Sequence, residues 1–489
     1  MERLTKIGTI KAKSSDQIRN SRLGIGFEKL DRAVFDPEKA YDKVAAIGVK
    51  WIRIQSGWAR TEKVKGVYDF AWLDEIVDNI LRRGMKPWIC LCYGNPVYSE
   101  FASVYFGAVG CPPIATQNER DAWVRYVTAV VEHYRGKVEY YEIWNEPDSR
   151  YSWKHAHAED EPEPGPNALE YAMLANLTAD AVHAADPAAK VVGFAIAQAY
   201  QYTYMNTALA AGMAERIDAL SFHAYTADDT LRPGYLKMFR KLLDSYRPGI
   251  AIIQSETGAQ SRSDGAGALA GLSWTPEKQM KHQLRNLLHD LAADVVFTSY
   301  FSTMDMIEAL RGLVADKKSY LDYGYFGVLS AEFDENGFST GNYNPKPSYR
   351  SLQVLAALFS EDFLPVELPV RHVSLPSKRV KGNDCEDKTI CTYTFARDNG
   401  AKAIVYWNAV PLLTQTYEGT ISFQTFGMDK DIRLVDLADG SVYALPENMI
   451  KDAGAGEIQL INVPISDTPK MLVFGDILDE MEDILNETV

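Results

Sequence analysis

Short apolar runs alternate with longer amphipathic segments from about residue 23 to residue 360 of the 489-residue chain. Runs that are apolar at nearly every position are typical of parallel strands covered on their outer side. We therefore interpret each run as a strand. The eight runs are LGIGFE (23–28), VKWIRIQ (49–55), MKPWICLCY (85–93), VEYYEIW (138–144), KVVGFAIA (190–197), IDALSFHAY (217–225), IAIIQSE (250–256) and VVFTSYFS (295–302).

The segments between these runs have the apolar spacing of helices. Segment 69–83, DFAWLDEIVDNILRR, is one example, and the glycine that follows it favours a helix end. The other predicted helices cover 36–47, 118–134, 167–184, 235–246 and 275–292. A strand followed by a helix, repeated around eight strands, predicts an α/β fold, the (β/α)8 TIM barrel.

The pattern changes after about residue 361. Shorter alternating runs such as AKAIVYWNAV and EIQLINVPI are separated by turn residues. This pattern predicts a C-terminal all-β sandwich module. We expect residues 23–360 to form the barrel and residues 361–489 the β-sandwich domain, with an N-terminal strand in residues 1–22 joining the sandwich.

The net charge of the chain excludes some classes of binding partner. The formal net charge of −15 argues against a nucleic-acid partner, which needs a basic face, and against docking on anionic membranes. The N-terminus lacks the apolar stretch of a signal peptide, and no run reaches the ~18 apolar residues of a membrane span. These features predict a cytoplasmic protein without a membrane partner, and they leave a homo-oligomer open. Cys385 and Cys391 could pair across a turn, but a reducing compartment argues against it.

Two glutamates stand at predicted strand ends, where barrel enzymes carry their catalytic residues. Asn145-Glu146 directly follows the fourth run, at the expected end of that strand, and Glu256 ends the seventh. Paired carboxylates suit glycoside cleavage, in which one acts as acid and base and the other attacks the anomeric carbon. Their mutual repulsion separates their pKa values and keeps one carboxyl protonated.

Side-chain alternation along the strands adds a buried arginine to the two candidate glutamates. Arg53 interrupts an apolar run, and a buried arginine needs a partner, for which Glu142 and Glu256 are the candidates. Glu142 shares the parity of Glu146, whereas Asn145 has the opposite parity and reaches the same site only if the strand departs from regular pleating.

Pro147 follows Glu146 directly. A residue before proline is biased toward extended backbone, so we expect Glu146 to be extended. Further polar and aromatic candidates follow or end other strands, and we expect them to contact substrate, with barrel-rim or core packing as the alternative. They are Glu28, Trp58, Tyr93, Asn95, His223 and Tyr225.

At these positions the sequence resembles clan A glycoside hydrolases, a retaining group with a (β/α)8 barrel. In that group Asn-Glu ends strand four and a second glutamate ends strand seven, as Asn145-Glu146 and Glu256 do here. The segments GFEKLDR and GVYDFAWLDEIVDNILRRGMKPWICL look like parts of family 39 β-xylosidases. The resemblance covers roughly residues 23–360 well and the remainder loosely.

The resemblance implies roles for the candidates. Glu146 would be the acid/base and Glu256 the nucleophile, and Asn145 would bind the sugar 2-hydroxyl. Tyr225 or His223 would orient the nucleophile, and Arg53 would lie beneath it. The eighth strand, TSYFSTMD, lacks the tryptophan that many relatives place under the sugar, so Tyr300 or Phe301 is predicted to take its place. The third strand also ends differently, in CYGNP, and both departures leave the sugar undetermined.

We therefore expect a retaining, exo-acting β-glycosidase that acts on short carbohydrate substrates and needs no cofactor or metal. The alternatives are an endo-glycanase on the same barrel, a non-catalytic glycan-binding protein and a metal-dependent barrel hydrolase. His155 and His157 lie near Glu159, Asp160, Glu161 and Glu163, which we interpret as a solvated acidic loop rather than a metal site.

Overall fold

The computed structural model of the chain describes residues 4–156, 162, 164–308, 322–360, 363–373, 389–476 and 481–483. A first strand, β1 (Thr5–Ile10), precedes a closed barrel of eight parallel strands. The barrel strands are β2 (Leu23–Gly26), β3 (Trp51–Gln55), β4 (Lys86–Leu91), β5 (Tyr140–Ile143), β6 (Lys190–Ile196), β7 (Ala219–Phe222), β8 (Ala251–Thr257) and β9 (Thr298–Tyr300). Because β2 pairs with both β3 and β9, the ring is complete, and the predicted TIM barrel is confirmed.

Helices follow the strands around the barrel. Side chains of Thr116, Asn167 and Thr275 cap three of them by accepting hydrogen bonds from backbone N–H groups of the first turn. The described helices are α1 (Tyr41–Ala45), α2 (Trp58–Thr61), α3 (Ala71–Arg82), α4 (Gln117–His133), α5 (Ala168–Ala185), α6 (Tyr202–Ala210), α7 (Arg232–Asp244), α8 (Pro276–Leu291) and α9 (Pro347–Leu358). The sequence patterns did not predict α2, α6 and α9. No helix in these ranges has the length and apolar character needed to cross a membrane.

Aromatic and aliphatic side chains fill the lower part of the barrel. Trp51 stacks on Phe297 with ring centroids 4.4 Å apart, and Trp88 packs edge-on against Phe297. The guanidinium of Arg53 lies above the ring of Trp88, 5.7 Å from its centroid. The polar side chains of the barrel interior therefore begin at Arg53, toward the carboxyl ends of the strands.

Two short hairpins lie between β9 and α9. They are built from β10 (Met306–Ile307) with β11 (Tyr323–Gly324) and from β12 (Leu329–Phe333) with β13 (Ser339–Pro345). Sequence patterns did not predict them.

The rest of the described chain forms two antiparallel sheets. Their strands are β14 (Leu364–Pro365), β15 (Val370–Val373), β16 (Ile390–Ala396), β17 (Lys402–Asn408), β18 (Glu418–Phe426), β19 (Ile432–Asp436), β20 (Ser441–Ala444), β21 (Ile450–Gly454), β22 (Glu457–Ser466), β23 (Lys470–Phe474) and β24 (Met481–Asp483). The larger sheet has the order β14-β16-β17-β23-β19-β20-β1-β24, and the smaller one β15-β18-β22-β21. The predicted sandwich module is confirmed, and β1 pairs with β20 and β24 in its larger sheet.

Alternation along β17 explains how this module joins the barrel. Ile404 and Tyr406 lie in the apolar core between the two sheets. Val405 and Trp407 point the other way and belong to the core that includes the barrel helices. The larger sheet is therefore covered on both faces. The boundaries proposed at residues 22 and 360 stay predictions.

Candidate active site

Loops at the carboxyl ends of the barrel strands enclose a cavity of about 490 Å³. Its lining includes six residues that the sequence predicted for the site: Glu28, Tyr93, Asn145, Glu146, Tyr225 and Glu256. Two more predicted residues, Arg53 and His223, contact the lining carboxylates from below. Eight of the candidates thus lie in one place, although they come from the ends of six different strands.

The backbone after β5 delivers two neighbouring side chains to the cavity. Trp144 has a positive φ of 66°, which breaks the pleat directly after the strand. Asn145 therefore reaches the site despite its opposite parity, and its Oδ1 accepts a hydrogen bond from Nη2 of Arg53 at 2.9 Å. The sequence analysis predicted that Asn145 would reach the site only if the strand departed from regular pleating, and the structure shows this departure.

The prediction of extended backbone at Glu146 is wrong, because its φ is +50°. Tertiary hydrogen bonds override the bias from Pro147. The Glu146 N–H donates to the Ala195 carbonyl at 3.1 Å. The Asp148 carboxylate accepts from the backbone N–H groups of Ala197 and Gln198 at 2.7 and 3.0 Å. These bonds fasten the loop after β5 to the end of β6 in a backbone conformation that is costly for a residue with a side chain.

Arg53 is fully buried and bonds to several carboxylates. Its Nε and Nη2 donate to Oε2 of Glu142 at 2.9 and 2.6 Å. Its Nη1 donates to Oε2 of Glu256 at 2.7 Å and to Oε1 of Glu28 at 3.3 Å. The second oxygen of Glu142 accepts a bond from the Ser221 hydroxyl at 2.6 Å. Both partners suggested by alternation, Glu142 and Glu256, thus bind the guanidinium.

Glu256 is held from several sides. The Tyr225 hydroxyl donates to Oε1 at 2.6 Å, and Nη1 of Arg53 donates to Oε2. Burial alone would raise the pKa of Glu256, but the positive charges of His223 and Arg53 and the Tyr225 hydrogen bond together lower it. The group is thus stabilised as a carboxylate while 13% of its side chain stays exposed to the cavity.

His223 lies between the two glutamates. Its Nδ1 is 2.9 Å from Oε1 of Glu146 and 3.9 Å from Oε2 of Glu256. Burial lowers the pKa of His223, but the two carboxylates outweigh burial and raise it. One oxygen of Glu146 and one of Glu256 lie within 4.8 Å of each other and of a His223 ring nitrogen. A metal ion placed among these three would compete with the guanidinium of Arg53 for Glu256.

Three predicted substrate contacts lie elsewhere. Trp58 is buried among aromatic rings, and its Nε1 donates to Glu62 at 2.6 Å. The Asn95 amide donates to the Glu62 carbonyl at 2.8 Å. Tyr300 is fully buried in the core, so its neighbour Phe301 lines the cavity instead. These side chains support the strand ends and do not face the cavity, because the backbone there directs them into the layer between strands and helices.

Several cavity residues were missed by the sequence interpretation. Lys29 and Arg32 come from the loop after β2, Tyr151 from the loop after β5, and Glu308 and Phe326 from beside the β10–β11 hairpin. The motif GFEKLDR contained a signal for the first two, since both basic residues lie within four positions after the predicted strand end at Glu28. Glu308 lies beyond the last barrel strand, so the rule that places catalytic residues at the carboxyl ends of barrel strands does not predict it.

Some sequence candidates fall outside the described residues. They are His157, Glu159, Asp160, Glu161 and Glu163 of the acidic loop, together with Cys385. Within the described part, His155 is 2.7 Å from a Glu170 carboxylate oxygen.

Part of the chain matches the sequence model of a known protein family. Residues 34–238 match the sequence model of the glycosyl hydrolases family 39. The chain resembles family 39. The matched range contains Arg53, Glu146, His223 and Tyr225 and ends before Glu256. The resemblance expected from the sequence is thereby confirmed.

A curated relative carries a corresponding name. The chain is 29% identical over 230 residues to a β-xylosidase of Geobacillus stearothermophilus, a match that covers 43% of this chain and 42% of the relative. The chain thus matches about two fifths of that relative's length. A shorter match, 37% identical over 60 residues, links it to the β-galactosidase BgaH of Haloferax lucentense and covers 12% of this chain and 9% of the relative.

Solved structures share the architecture. A family 39 glycoside hydrolase from Bacteroides cellulosilyticus WH2 superposes with a TM-score of 0.63 at 18% identity, covering 95% of this chain and 82% of that one. A GH39 β-xylosidase from Caulobacter crescentus gives 0.54 at 18% identity, covering 95% and 98%. At this identity the likeness concerns the fold.

Proposed function

We propose that the protein is a retaining β-glycosidase that removes single sugars from the ends of short carbohydrate substrates. The observation that carries this proposal is that one carboxylate oxygen of Glu146 and one of Glu256 lie within 4.8 Å of each other, in the cavity at the carboxyl ends of the barrel strands. Retaining enzymes hold their two carboxyl groups about 5–5.5 Å apart, whereas inverting enzymes need about 6.5–9.5 Å to admit a water molecule.

The surroundings of the two glutamates support different roles. Glu256 is stabilised as an anion by Arg53, His223 and Tyr225, as a nucleophile requires. In the first step an oxygen of Glu256 bonds to the anomeric carbon while Glu146 gives its proton to the departing glycosidic oxygen. In the second step water attacks that carbon, Glu146 takes a proton from the water, and the bond to Glu256 breaks.

The form of the cavity supports exo action on small substrates. Its walls come from loops on several sides of the barrel, including Tyr151 after β5, Ala266, Ala268 and Ala270 after β8, and Phe326. A volume of about 490 Å³ lies within the range of small-molecule sites. The predicted cytoplasmic location would limit substrates to short oligosaccharides and glycosides. An endo-glycanase would instead need an open groove across this face.

Labelling with activated 2-deoxy-2-fluoro glycosides tests the assignment. The names of the two curated relatives make the xyloside and galactoside the first probes, and the glucoside completes a panel. We expect one probe to inactivate the protein with one sugar bound to the peptide that contains Glu256, because the fluorine slows release of the covalent intermediate. Mass spectrometry of the digested protein identifies the site. Stoichiometric labelling of a different carboxylate, or of none with any probe, would overturn the proposal.

The variant Glu146→Ala tests the acid role. Loss of a general acid matters most when the departing group is a poor one, so kcat/KM should fall about 10²–10⁴-fold more for an alkyl glycoside or disaccharide than for a dinitrophenyl glycoside. Steady-state kinetics on both substrates measure the difference. Glu139→Ala, an exposed carboxylate directly before β5 at the opposite end of the barrel, is the matched control. Equal losses on both substrates would exclude Glu146 as the acid.

A further inference from the structure

Glu28 and Glu256 share one nitrogen of Arg53. Nη1 donates to Glu256 at 2.7 Å and to Glu28 at 3.3 Å, while Nε and Nη2 are engaged by Glu142. Three carboxyl groups therefore surround one guanidinium. If all three were ionised, the positive charge of Arg53 could compensate only part of their negative charge.

The neighbouring acidic groups each have a cation of their own. Glu308 is 3.3 Å from Nζ of Lys29, Asp31 is 3.2 Å from Nε of Arg32, and Glu146 is 2.9 Å from His223. Among the described residues, Glu28 forms an ion pair with Arg53. Its distance from Nη1, 3.3 Å, is longer than the 2.7 Å between the same nitrogen and Glu256. Glu28 is therefore the carboxyl whose negative charge is compensated least.

The position of the Glu28 carboxyl is fixed. It is buried, and its Oε2 has no hydrogen-bond partner among the described residues. The side chain folds back over Gly26 at the end of β2, where an added Cβ would lie 2.0 Å from Oε2. A free carboxylate oxygen held in this way lacks the hydrogen bonds that ionisation requires, whereas a protonated oxygen carries no charge to compensate.

We propose that Glu28 is a positioning residue that carries a proton in the active enzyme, and that its ionisation stops turnover by drawing Arg53 Nη1 away from Glu256. This inference rests on the proposed role of Glu256 as the nucleophile. While Glu28 is neutral, Arg53 bonds preferentially to Glu256 and keeps the attacking oxygen in place. Once Glu28 is ionised, two anions compete for one donor and repel each other.

The electrostatics of the site place this change at alkaline pH. Burial raises the pKa of Glu28 to about 8, Arg53 opposes the shift, and the charge of Glu256 adds to it. The group is thus neutral below about pH 8 and charged above it. The titratable and charged groups that interact with it are Arg53 on β3, Tyr225 after β7 and Glu256 on β8. Lys29, Glu146 and Glu308 line the same cavity.

The test uses a dinitrophenyl glycoside of the sugar that labels the protein, because cleavage of this leaving group does not need the proton of Glu146. For the wild type we expect kcat/KM to fall about tenfold per pH unit above about pH 8. For Glu28→Gln and Glu28→Met, which are neutral at every pH, we expect kcat/KM to stay within about threefold of its plateau up to about pH 10. If kcat/KM of a folded Glu28→Gln or Glu28→Met variant fell above about pH 8 as it does in the wild type, the proposal would be overturned.

A second measurement does not depend on the variants. The rate at which a fluoro glycoside labels Glu256 of the wild type should fall over the same pH range while circular dichroism shows the chain still folded. A labelling rate that stays constant to about pH 10 would overturn the role of Glu28 but would leave the proposed function intact. Absence of Glu256 labelling at every pH would instead contradict the proposed function.

Discussion

Replacing Glu256 by alanine is expected to lower kcat by on the order of 10⁴–10⁶-fold, because the covalent step loses its nucleophile. Glu256 is a strong candidate for this effect because Arg53 and Tyr225 hold its two oxygens at 2.7 and 2.6 Å and leave the carboxylate facing the cavity. Measurement of kcat with the sugar identified by labelling checks the loss.

A small anion makes this prediction more specific. The space left in Glu256→Ala lies beside Arg53 and His223, so added azide should enter it and attack an activated β-glycoside directly. The product is then an α-glycosyl azide, because one displacement inverts the configuration. Glu139→Ala, at the far end of the barrel, should keep wild-type rates without azide. Nearly normal hydrolysis by Glu256→Ala, or a β-configured azide product, would refute a nucleophilic role for Glu256.

The strand positions could be predicted because barrel strands have strong and local sequence signals. Seven of the eight apolar runs contain their observed strands and extend beyond them by up to a few residues, whereas the run at 250–256 stops one residue before β8 ends at Thr257. The carboxyl ends of parallel strands converge on one face. Once Glu146 and Glu256 were placed at strand ends, their meeting followed from the fold class.

Alternation was reliable within strands and less so beyond them. Arg53 and Glu142 lie inside regular strands, and their pairing followed from parity and from the cost of an unpaired buried charge. The residues just after a strand do not follow this rule. Positive φ values at Trp144 and Ala224 redirect the chain, and such a turn depends on hydrogen bonds to neighbouring strands that one sequence does not reveal.

Loop side chains were the least predictable part of the site. Trp58 and Asn95 follow strands and looked like sugar contacts, yet both bond to Glu62 within the loop layer. Glu308 reaches the cavity from beyond the barrel strands and pairs with Lys29. The Lys29–Glu308 pair joins segments that are hundreds of residues apart, so it depends on the tertiary arrangement and not on local pattern.

Arg53 links the stability of the barrel to the ionisation of the nucleophile. It binds Glu142, which is fully buried, and Glu256, which lines the cavity. Removal of one partner from a buried ion pair typically costs about 3–5 kcal/mol, because the remaining charge is left without compensation. We therefore expect Arg53→Met to destabilise the folded protein by about this amount, measured as a lower midpoint in urea unfolding.

The same variant should change the pH profile in a defined direction. Arg53 contributes to the lowered pKa of Glu256, so its loss raises that pKa. Because attack requires the ionised form, the acidic limb of kcat/KM should move to higher pH, and Arg53→Lys should move it less because the positive charge remains. Arg285→Met is the matched control, since Arg285 is also fully buried but pairs with Asp229 and the Asp467 carbonyl outside the cavity. We expect this control to lose stability without a shift of the acidic limb. If Arg53→Met lost stability while its acidic limb stayed in place, Arg53 would support the barrel without tuning Glu256.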